Sequence, residues 1–163
     1  MEKLTQKFID DYRYEEGHLY RKSDGKRVGY LDKRIGYYRM KAYGKTWLVH
    51  RVIFAIYEGW WPDMVDHIDR DKTNNQLSNL RAARRNQNTV NSRPRSDNTT
   101  GWRGVIYHKA AKGYVAQSSD KQGNRVHLGV FSCDREAALA YNYHAEKTWG
   151  KFATFNQVFE DVS

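Results

Sequence analysis

Between residues 12 and 49, hydrophobic and cationic side chains alternate along the chain, and glycines interrupt the pattern at positions 17, 25, 29, 36 and 44. A period of two residues is typical of half-buried β-strands. Asp24-Gly25 is a hairpin-turn signal, and Tyr43-Gly44 marks another tight turn. The pattern therefore predicts a series of short strands and hairpins over this part of the chain.

The apolar spacing changes over residues 49–57 to that of a short helix, and Gly59 follows as the signal that ends it. Pro62 then interrupts the pattern. The apolar positions from Val65 to Ile68 suit a brief strand, because a single short run between turn residues is too short for a helix.

Polar residues dominate the next stretch. The sequence DRDKTNNQ, residues 69–76, predicts a loop, and Ser78 is placed to cap a helix that runs toward Asn91. Residues 92–100, SRPRSDNTT, combine Ser, Pro, Asp, Asn and Thr with two arginines. That composition is typical of a linker, and a new pattern begins at Gly101.

Beyond the linker, three alternating segments near 103–107, 113–119 and 124–130 are separated by the turn sequences AAKG and DKQG. A helix is predicted after them, with Asp134 and Glu136 in its first turn. The shift in pattern favours two domains of mixed α+β structure. The residues that share one apolar stripe of this helix are Ala137, Ala138, Tyr141 and Ala145.

The composition adds a strong positive charge. The chain has 163 residues, of which 29% are charged, with a net charge of +9. Nine Lys or Arg residues stand between positions 21 and 45, and five arginines without an acid between 81 and 95, whereas residues 101–163 are nearly balanced. A polyanionic partner, nucleic acid above all, is expected. The alternative is a basic protein whose charge serves only its solubility.

Several classes of protein are not supported by the sequence. No run approaches the roughly 20 apolar residues of a membrane span, and the amino-terminal sequence lacks the apolar core of a signal peptide. Cys133 is the only cysteine, which excludes an internal disulfide and fits a reducing compartment. We therefore expect a cytoplasmic protein, with a monomer favoured and no membrane partner.

Candidate chemistry lies in the stretch MVDHIDRDKTNNQLSNLRAARRNQN, residues 64–88. Asp66 offers an anionic oxygen and Asn88 a neutral one, and two such ligands with open positions suit Mg²⁺ or Mn²⁺. His67 has a side chain that titrates near working pH and could take a proton from an attacking water. Together these groups could hydrolyse a phosphodiester.

This stretch resembles the HNH nuclease motif in its phage and homing-endonuclease form, and the resemblance runs from about Tyr12 to Asn91. It implies a ββα-metal nuclease domain that acts on double-stranded DNA and leaves a 5′-phosphate and a 3′-hydroxyl. By position, Asp66 and Asn88 match the metal ligands, Asn88 standing where many members have His. His67 matches the general base, and Asn79 the middle residue, which fixes the loop and the orientation of the base.

Other polar residues of this region have simpler interpretations. His50 either lies at the site or packs below the sheet. Asn79 could have a purely structural role, in which its side chain supports the loop through hydrogen bonds to the backbone. We expect Asp69 and Asp71 to be loop residues, and Asn74 and Asn75 to form turns or surface hydrogen bonds. No structural zinc is expected, because one cysteine and the scattered histidines give no ligand spacing.

Residues 101–156 resemble the APETALA/ethylene-responsive-factor (AP-two/ERF) DNA-binding domain, through YVA, LGVF, EAALAY and the spacing of Gly150, Ala153 and Asn156. The resemblance implies a three-stranded antiparallel sheet backed by one helix, with the sheet in the major groove. Ile106 and most other matched strand positions depart from the plant pattern. The residues expected to bind DNA by this match are Arg103, His108, Gln117, Ser119, Arg125 and His127.

Two further sets of residues follow from the same comparison. The arginines around the join are expected to meet phosphates, although a solvated helix face would have the same composition. The large side chains are expected to form the core. The arginines are Arg81, Arg84, Arg85, Arg93 and Arg95, and the core residues are Trp102, Tyr114, Leu128, Phe131, Tyr141 and Trp149.

The sequence thus predicts a metal-dependent endonuclease domain at 1–91, a linker at 92–100 and a DNA-reading domain at 101–163. The expected biological setting is a phage or mobile-element homing endonuclease, acting in a bacterial cytoplasm if it is phage-encoded. The rival hypotheses are a sequence-specific DNA-binding regulator with an inactive nuclease domain, and an architectural DNA protein favoured by charge alone.

Overall fold

The computed structural model describes residues 2–91 and 97–158. The chain forms two compact units, Met1–Arg85 and Asn86–Ser163. Both units combine helices with small antiparallel sheets, which confirms the mixed α and β composition. None of the helices within the described ranges has the length and apolar character needed to cross a membrane. Residues 92–96 of the predicted linker lie outside the described residues.

The first unit begins with a helix and continues through a series of hairpins. Its sheets have the strand orders β1-β2-β3, β4-β5-β6 and β7-β8. The predicted turn at Tyr43-Gly44 is confirmed: both residues have positive φ, 51° and 71°, as a tight two-residue hairpin loop requires. The elements are α1 (Glu2–Asp11), β1 (Tyr12–Glu15), β2 (His18–Arg21), β3 (Arg27–Val28), β4 (Tyr30–Asp32), β5 (Tyr37–Ala42), β6 (Lys45–Leu48), α2 (Val49–Glu58), β7 (Met64–His67) and β8 (Leu80–Ala83).

Helix α1 lies before the alternating segment that predicted the strands. It buries Thr5 and Phe8 on one face. The Phe8 ring packs against those of Tyr43 and Trp47, with centroid distances of 5.0 and 5.3 Å. A ten-residue helix with so few apolar positions is marginal alone, and tertiary packing of this kind stabilises it.

The helix predicted to begin at Ser78 is also corrected. Residues Leu77–Asn79 form a single 3₁₀ turn, and the chain then extends as β8 before helix α3 (Arg85–Asn91) begins. Leu80 and Ala83 are buried, and Leu80 pairs with His67 across the ladder. Cross-strand hydrogen bonds to β7 thus override the helical preference of an alanine- and arginine-rich segment.

Helix α2 organises the core of the first unit and holds the site. Val52 and Ile53 are fully buried, and the helix packs against β5, β7 and β8. It ends as predicted at Gly59, which has a φ of 78° and donates its backbone N–H to the Ala55 oxygen over 3.0 Å. The packing against β7 places one face of α2 beside the residues of the candidate active site.

The second unit contains α3, an antiparallel sheet in the order β11-β10-β9 and a long helix on one face of it. The strands are β9 (Val105–His108), β10 (Gly113–Ser119) and β11 (Arg125–Phe131), and the helix is α4 (Asp134–Trp149). Helix α4 packs on all three strands. The predicted apolar stripe is confirmed, because Ala137, Ala138, Tyr141 and Ala145 are all buried.

The close approach of helix and sheet gives a stability prediction at Gly104. A Cβ there would lie 2.3 Å from Tyr141 Cδ2 and 2.4 Å from the Gln117 backbone oxygen, at a φ of 71°. Gly104→Ala should lower the free energy of unfolding by roughly 3 kcal/mol through overpacking and strain. Gly101→Ala is the matched control, with a φ of 75° and open space around it, and should cost about 1 kcal/mol. Equal losses in urea unfolding would contradict this packing.

Candidate active site

The end of strand β7 brings two titratable side chains into the interior. Asp66 and His67 are consecutive, and only 5% and 4% of their surfaces are exposed. Asp66 pairs with Arg81 of β8 across the ladder, and its Oδ2 accepts hydrogen bonds from Arg81 Nε over 2.9 Å and Nη2 over 2.7 Å. The buried carboxylate therefore has a charged partner, as burial of an anion requires.

The His67 ring is held by a carboxamide and by two rings. Its Nε2 lies 3.1 Å from Asn75 Oδ1, and Asn75 is itself buried. An amide oxygen only accepts, so this bond assigns the proton of the neutral ring to Nε2 and makes Nδ1 the basic nitrogen. The rings of His50 and Tyr37 lie 4.8 and 5.8 Å from it between centroids.

Asn75 corrects the expectation that the asparagine pair after Thr73 lies at the surface. Only 3% of its surface is exposed, and its side chain contacts the candidate base directly. Asn74 keeps the expected loop role, since its side chain donates to Asp69 Oδ2 over 2.7 Å. The sequence offered no signal that separates these two adjacent asparagines, because the distinction depends on how the loop folds back.

Asn79 connects the two ends of the loop. Its Nδ2 donates to Asp69 Oδ1 over 2.9 Å and to the Asn74 backbone oxygen over 2.8 Å. Its Oδ1 accepts the Asp69 backbone N–H over 3.0 Å. These bonds fix the loop that carries Asn75. Asn79 therefore influences the position of His67 indirectly, through the loop.

The two aspartates of the loop form hydrogen bonds within it. Burial opposes the charged form of Asp69, but the Asp71 N–H and the amides of Asn74 and Asn79 lower its pKa overall. Asp71 Oδ1 accepts bonds from both the backbone and the side chain of Thr73, which lower the pKa of Asp71.

The ring of His50 lies beside that of His67, with 4.8 Å between centroids. It projects from α2, is 3% exposed, and its ring also contacts that of Tyr37 at 5.1 Å. Burial, with the nearby His67 and Arg51 charges, lowers its pKa to about 3. Its Nδ1 has no hydrogen-bond partner among the described residues. Burial and the charge of Asp66 raise the pKa of Tyr37.

The remaining residues of the motif fall in or near the second unit. Asn88 lies on α3, which buries Val90 and Asn91, and Asn91 Oδ1 accepts a hydrogen bond from Thr154 over 3.1 Å. Asp66 and Asn88 belong to different units, and their pairing around one cation stays a prediction. Arg84 and Arg85 are exposed, whereas Arg93 and Arg95 lie outside the described residues.

Two arginines differ from their expected positions. Arg81 has a side chain only 12% exposed and committed to Asp66, so its guanidinium is not presented to solvent for a phosphate. Arg103 lies in the turn before β9 rather than on the sheet, and its backbone N–H and oxygen both bond to Asn156. Its guanidinium lies beside Tyr141, where it opposes the increase in the tyrosine pKa caused by burial.

The other expected DNA contacts share one face of the sheet in the second unit. Gln117 pairs with His127 and Ser119 with Arg125, and paired residues project to the same side. His108 ends β9 and is exposed. This face lies opposite the one covered by α4, because Ala116, next to Gln117, is buried in the core.

The carboxylate of Asp66 on β7 is of the chemical type that binds a hard divalent cation such as Mg²⁺ or Mn²⁺. Within the described ranges, no group of three or more His, Cys, Asp or Glu side chains could hold a metal ion. A cation at Asp66 would have to share the carboxylate with Arg81 or displace it.

Comparison with known proteins supports an HNH endonuclease domain in part of the chain. Residues 48–90 match the family model described as HNH endonuclease, a span that includes α2, β7 and β8.

Particular relatives extend the match. An uncharacterised HNH endonuclease of Acanthamoeba polyphaga mimivirus is 37% identical over 113 residues, which cover 68% of this chain. The chain spans 57% of the length of that relative. A solved structure, described as DNA binding and cleavage by the HNH homing endonuclease I-HmuI, is 26% identical with a TM-score of 0.42, and covers 71% of this chain and 70% of that one.

Removal of the arginine partner tests the buried ion pair. Arg81→Met should lower the free energy of unfolding by about 3 kcal/mol, because it removes the charged partner of a buried carboxylate. Arg21→Met is the matched control, since the Arg21–Asp24 pair lies at the surface, and should have a much smaller effect. The double variant Asp66→Asn, Arg81→Met should recover part of the loss. Equal costs for the two single variants in urea unfolding would contradict the buried pair.

His50 gives the protein an acid-sensitive stability. Its pKa is about 3 in the folded chain against an ordinary value of 6.5, so the unfolded chain binds the extra proton between these values. The stabilisation is complete above pH 6.5 and is lost as the pH falls toward 3. His50→Gln removes the titrating group and should flatten the decrease in unfolding free energy over that range. If the unfolding free energies of the variant and the wild type change in parallel with pH, His50 is not buried in its neutral form.

Proposed function

We propose that this chain is a metal-dependent DNA endonuclease that hydrolyses phosphodiester bonds at β7 and selects its target through the second unit. The observation that carries the proposal is the buried Asp66-His67 pair, with the His67 ring fixed by Asn75, inside the HNH match. The net charge of +9 supports a duplex DNA substrate. A homing or mobile-element role, phage-borne and exercised in a host cytoplasm, is the setting that the resemblance implies.

His67 is the general base in this mechanism. With the proton at Nε2 committed to Asn75, Nδ1 accepts the proton of the attacking water. Asn75 is a positioning residue that keeps this tautomer and the ring orientation. His50 stays neutral at working pH because of its low pKa. It therefore adds no second positive charge beside the imidazolium that forms as His67 takes the proton.

Asp66 and Asn88 are the residues that would hold the cation. Bound Mg²⁺ or Mn²⁺ supplies polarisation of the phosphate and stabilisation of the leaving oxygen. Arg81 balances the Asp66 charge in the folded protein and maintains the carboxylate in position at the strand end. Asn79 preserves the loop geometry on which the contact between Asn75 and His67 depends.

The second unit is the site-selecting part of the proposal. Its open sheet face carries His108, Gln117, Ser119, Arg125 and His127, which offer donors and acceptors to base edges in the major groove. Arg84 and Arg85 are exposed and meet phosphates, which orient a protein on DNA without reading sequence. This assignment follows the AP-two/ERF resemblance of residues 101–156.

One observation favours a second candidate function. Arg81 donates two hydrogen bonds to Asp66, so this carboxylate has less charge to offer a cation, which would suit a domain that binds DNA without cutting it. In that case the chain is a sequence-specific DNA-binding regulator with an inactive nuclease domain. The cleavage experiment distinguishes the two, because a regulator binds duplex DNA but leaves it intact in Mg²⁺.

Plasmid cleavage tests the proposal. The purified chain should nick or cut supercoiled plasmid in Mg²⁺ or Mn²⁺ and not in EDTA. His67→Ala should lower the rate by about 100-fold or more, because it removes the general base, while duplex binding in EDTA stays unchanged. Asn75→Ala should lower the cleavage rate between about 10- and 100-fold, because it misplaces the His67 ring. It should also change the acidic side of the plot of cleavage rate against pH.

Ser78→Ala is the control in the same segment, since its side chain is exposed, and it should cleave at the wild-type rate. Cleavage by His67→Ala at the wild-type rate would refute the base assignment. A wild-type chain that binds duplex DNA but never cuts it in either metal would establish the regulator instead.

A further inference from the structure

The sheet of the second unit has an apolar row across its open face. Ile106 of β9 pairs with Val115 of β10, and Val115 pairs with Val130 of β11, so the three side chains are cross-strand neighbours on one side. Their chain neighbours Val105 and Ala116 are buried against α4. Because side chains alternate along a strand, Ile106, Val115 and Val130, here called the apolar row, face away from the helix.

The apolar row is open to solvent rather than part of a core. Ile106 on β9 is 44% exposed and Val130 on β11 is 51% exposed, and both are β-branched hydrocarbon side chains that flank the half-buried Val115 of the central strand. Contiguous exposed apolar residues with a polar rim mark interaction sites. The apolar row therefore favours a partner that presents hydrophobic groups to this face of the sheet.

The surroundings of the row identify the class of partner by charge. The turn between β9 and β10 carries Lys109 and Lys112, and the turn between β10 and β11 carries Lys121, with Arg125 at the start of β11. All four are exposed. This face has cations at both hairpin ends and a neutral centre. The arrangement is complementary to a DNA groove, in which a phosphate backbone lies on each side of the base edges.

Asp120 is the only acidic residue in these two turns, and its side chain forms hydrogen bonds within its own turn. Asp120 accepts hydrogen bonds from the backbone N–H groups of Gln122 and Asn124 and from the Asn124 side chain, over 2.8 to 2.9 Å. These bonds lower its pKa, so the carboxylate stays ionised, and the cations Lys121 and Arg125 outnumber it at this end of the sheet. The pairing of β10 with β11 has a register shift between Ala116 and Gln117, and such bulges increase the local twist of a sheet.

We propose that the apolar row contacts the 5-methyl groups of thymines in the major groove, so that the target contains thymine at the positions beneath Ile106, Val115 and Val130. This rests on the proposed DNA binding of the second unit and specifies which bases it reads. Thymine alone presents a methyl group in that groove, whereas every other base edge there is polar. An apolar row laid on a polar edge leaves donors or acceptors desolvated without partners, which disfavours the other bases.

The experiment uses the full chain and changes only the DNA. Duplexes recovered by the wild-type protein from a random library, in EDTA, give the preferred sequence. That duplex is then made with deoxyuridine in place of each thymine in turn, which deletes one methyl group and keeps the pairing. Binding should weaken by about 4-fold for each methyl group that meets the row, the change expected for removing one buried hydrocarbon group.

Protein variants assign the effect to the row. Ile106→Ala and Val130→Ala should bring the ratio of thymine to deoxyuridine affinity toward one at their own positions. Leu139→Ala is the matched control, because Leu139 is 53% exposed on α4 and not on the sheet, and it should keep the wild-type ratio. The measurement on the unchanged protein decides the question even if a variant fails to fold.

Two results would overturn the proposal while the endonuclease function stands. One is a preferred duplex in which no deoxyuridine substitution changes the affinity, and the other is duplex binding with no preferred sequence. A chain that cuts plasmid in Mg²⁺ but gives either result has the proposed activity without thymine readout. Failure to bind any duplex at low salt would overturn both, and would point to a protein partner for the row.

Discussion

The antiparallel pairing of β7 with β8 places a buried carboxylate opposite a guanidinium, and the candidate active site depends on this contact. Asp66 at 5% exposure is stable inside the fold because Arg81 reaches it with two nitrogens from the facing strand. The next residue on β7 is His67, so the same ladder sets the depth of the imidazole. Consecutive side chains of a strand face opposite sides, so a slip of one residue would exchange the faces of Asp66 and His67.

The loop between the two strands completes the site through carboxamides rather than charges. Asn79 joins the loop ends, and Asn75 fixes the His67 ring by a single hydrogen bond to Nε2. Neutral partners of this kind orient the imidazole without adding a charge that would compete for its proton. His50 contributes in the same sense, since burial keeps its ring neutral. The site is thus arranged to hold one basic nitrogen in a defined direction.

Much of the fold was predictable because local patterns and tertiary packing agree. The turn at Gly44, the end of α2 at Gly59 and the buried stripe of α4 follow from turn chemistry and periodicity. Strand β8 was not predictable, because LRAA has helical preference and extends only through its pairing with β7. Helix α1 likewise depends on the packing of Phe8 against distant rings.

The candidate site shows the same division. The order of residues in the motif singles out Asp66 and His67 as candidates, and comparison with known proteins supports an HNH endonuclease domain over residues 48–90. The contact of Asn75 with His67 and that of Arg81 with Asp66 could not be predicted from the sequence, because each joins residues brought together only by the folded loop or ladder. A sequence motif gives candidate groups, whereas their partners depend on three-dimensional structure.

The most direct test is a crystal structure of the full chain with duplex DNA and Mn²⁺, in which anomalous scattering locates the metal. The proposal predicts a manganese peak about 2.1 Å from oxygens of Asp66 and Asn88, with His67 Nδ1 turned toward the scissile phosphate. A structure in which Asp66 stays paired with Arg81 alone, and manganese binds elsewhere or not at all, would contradict it.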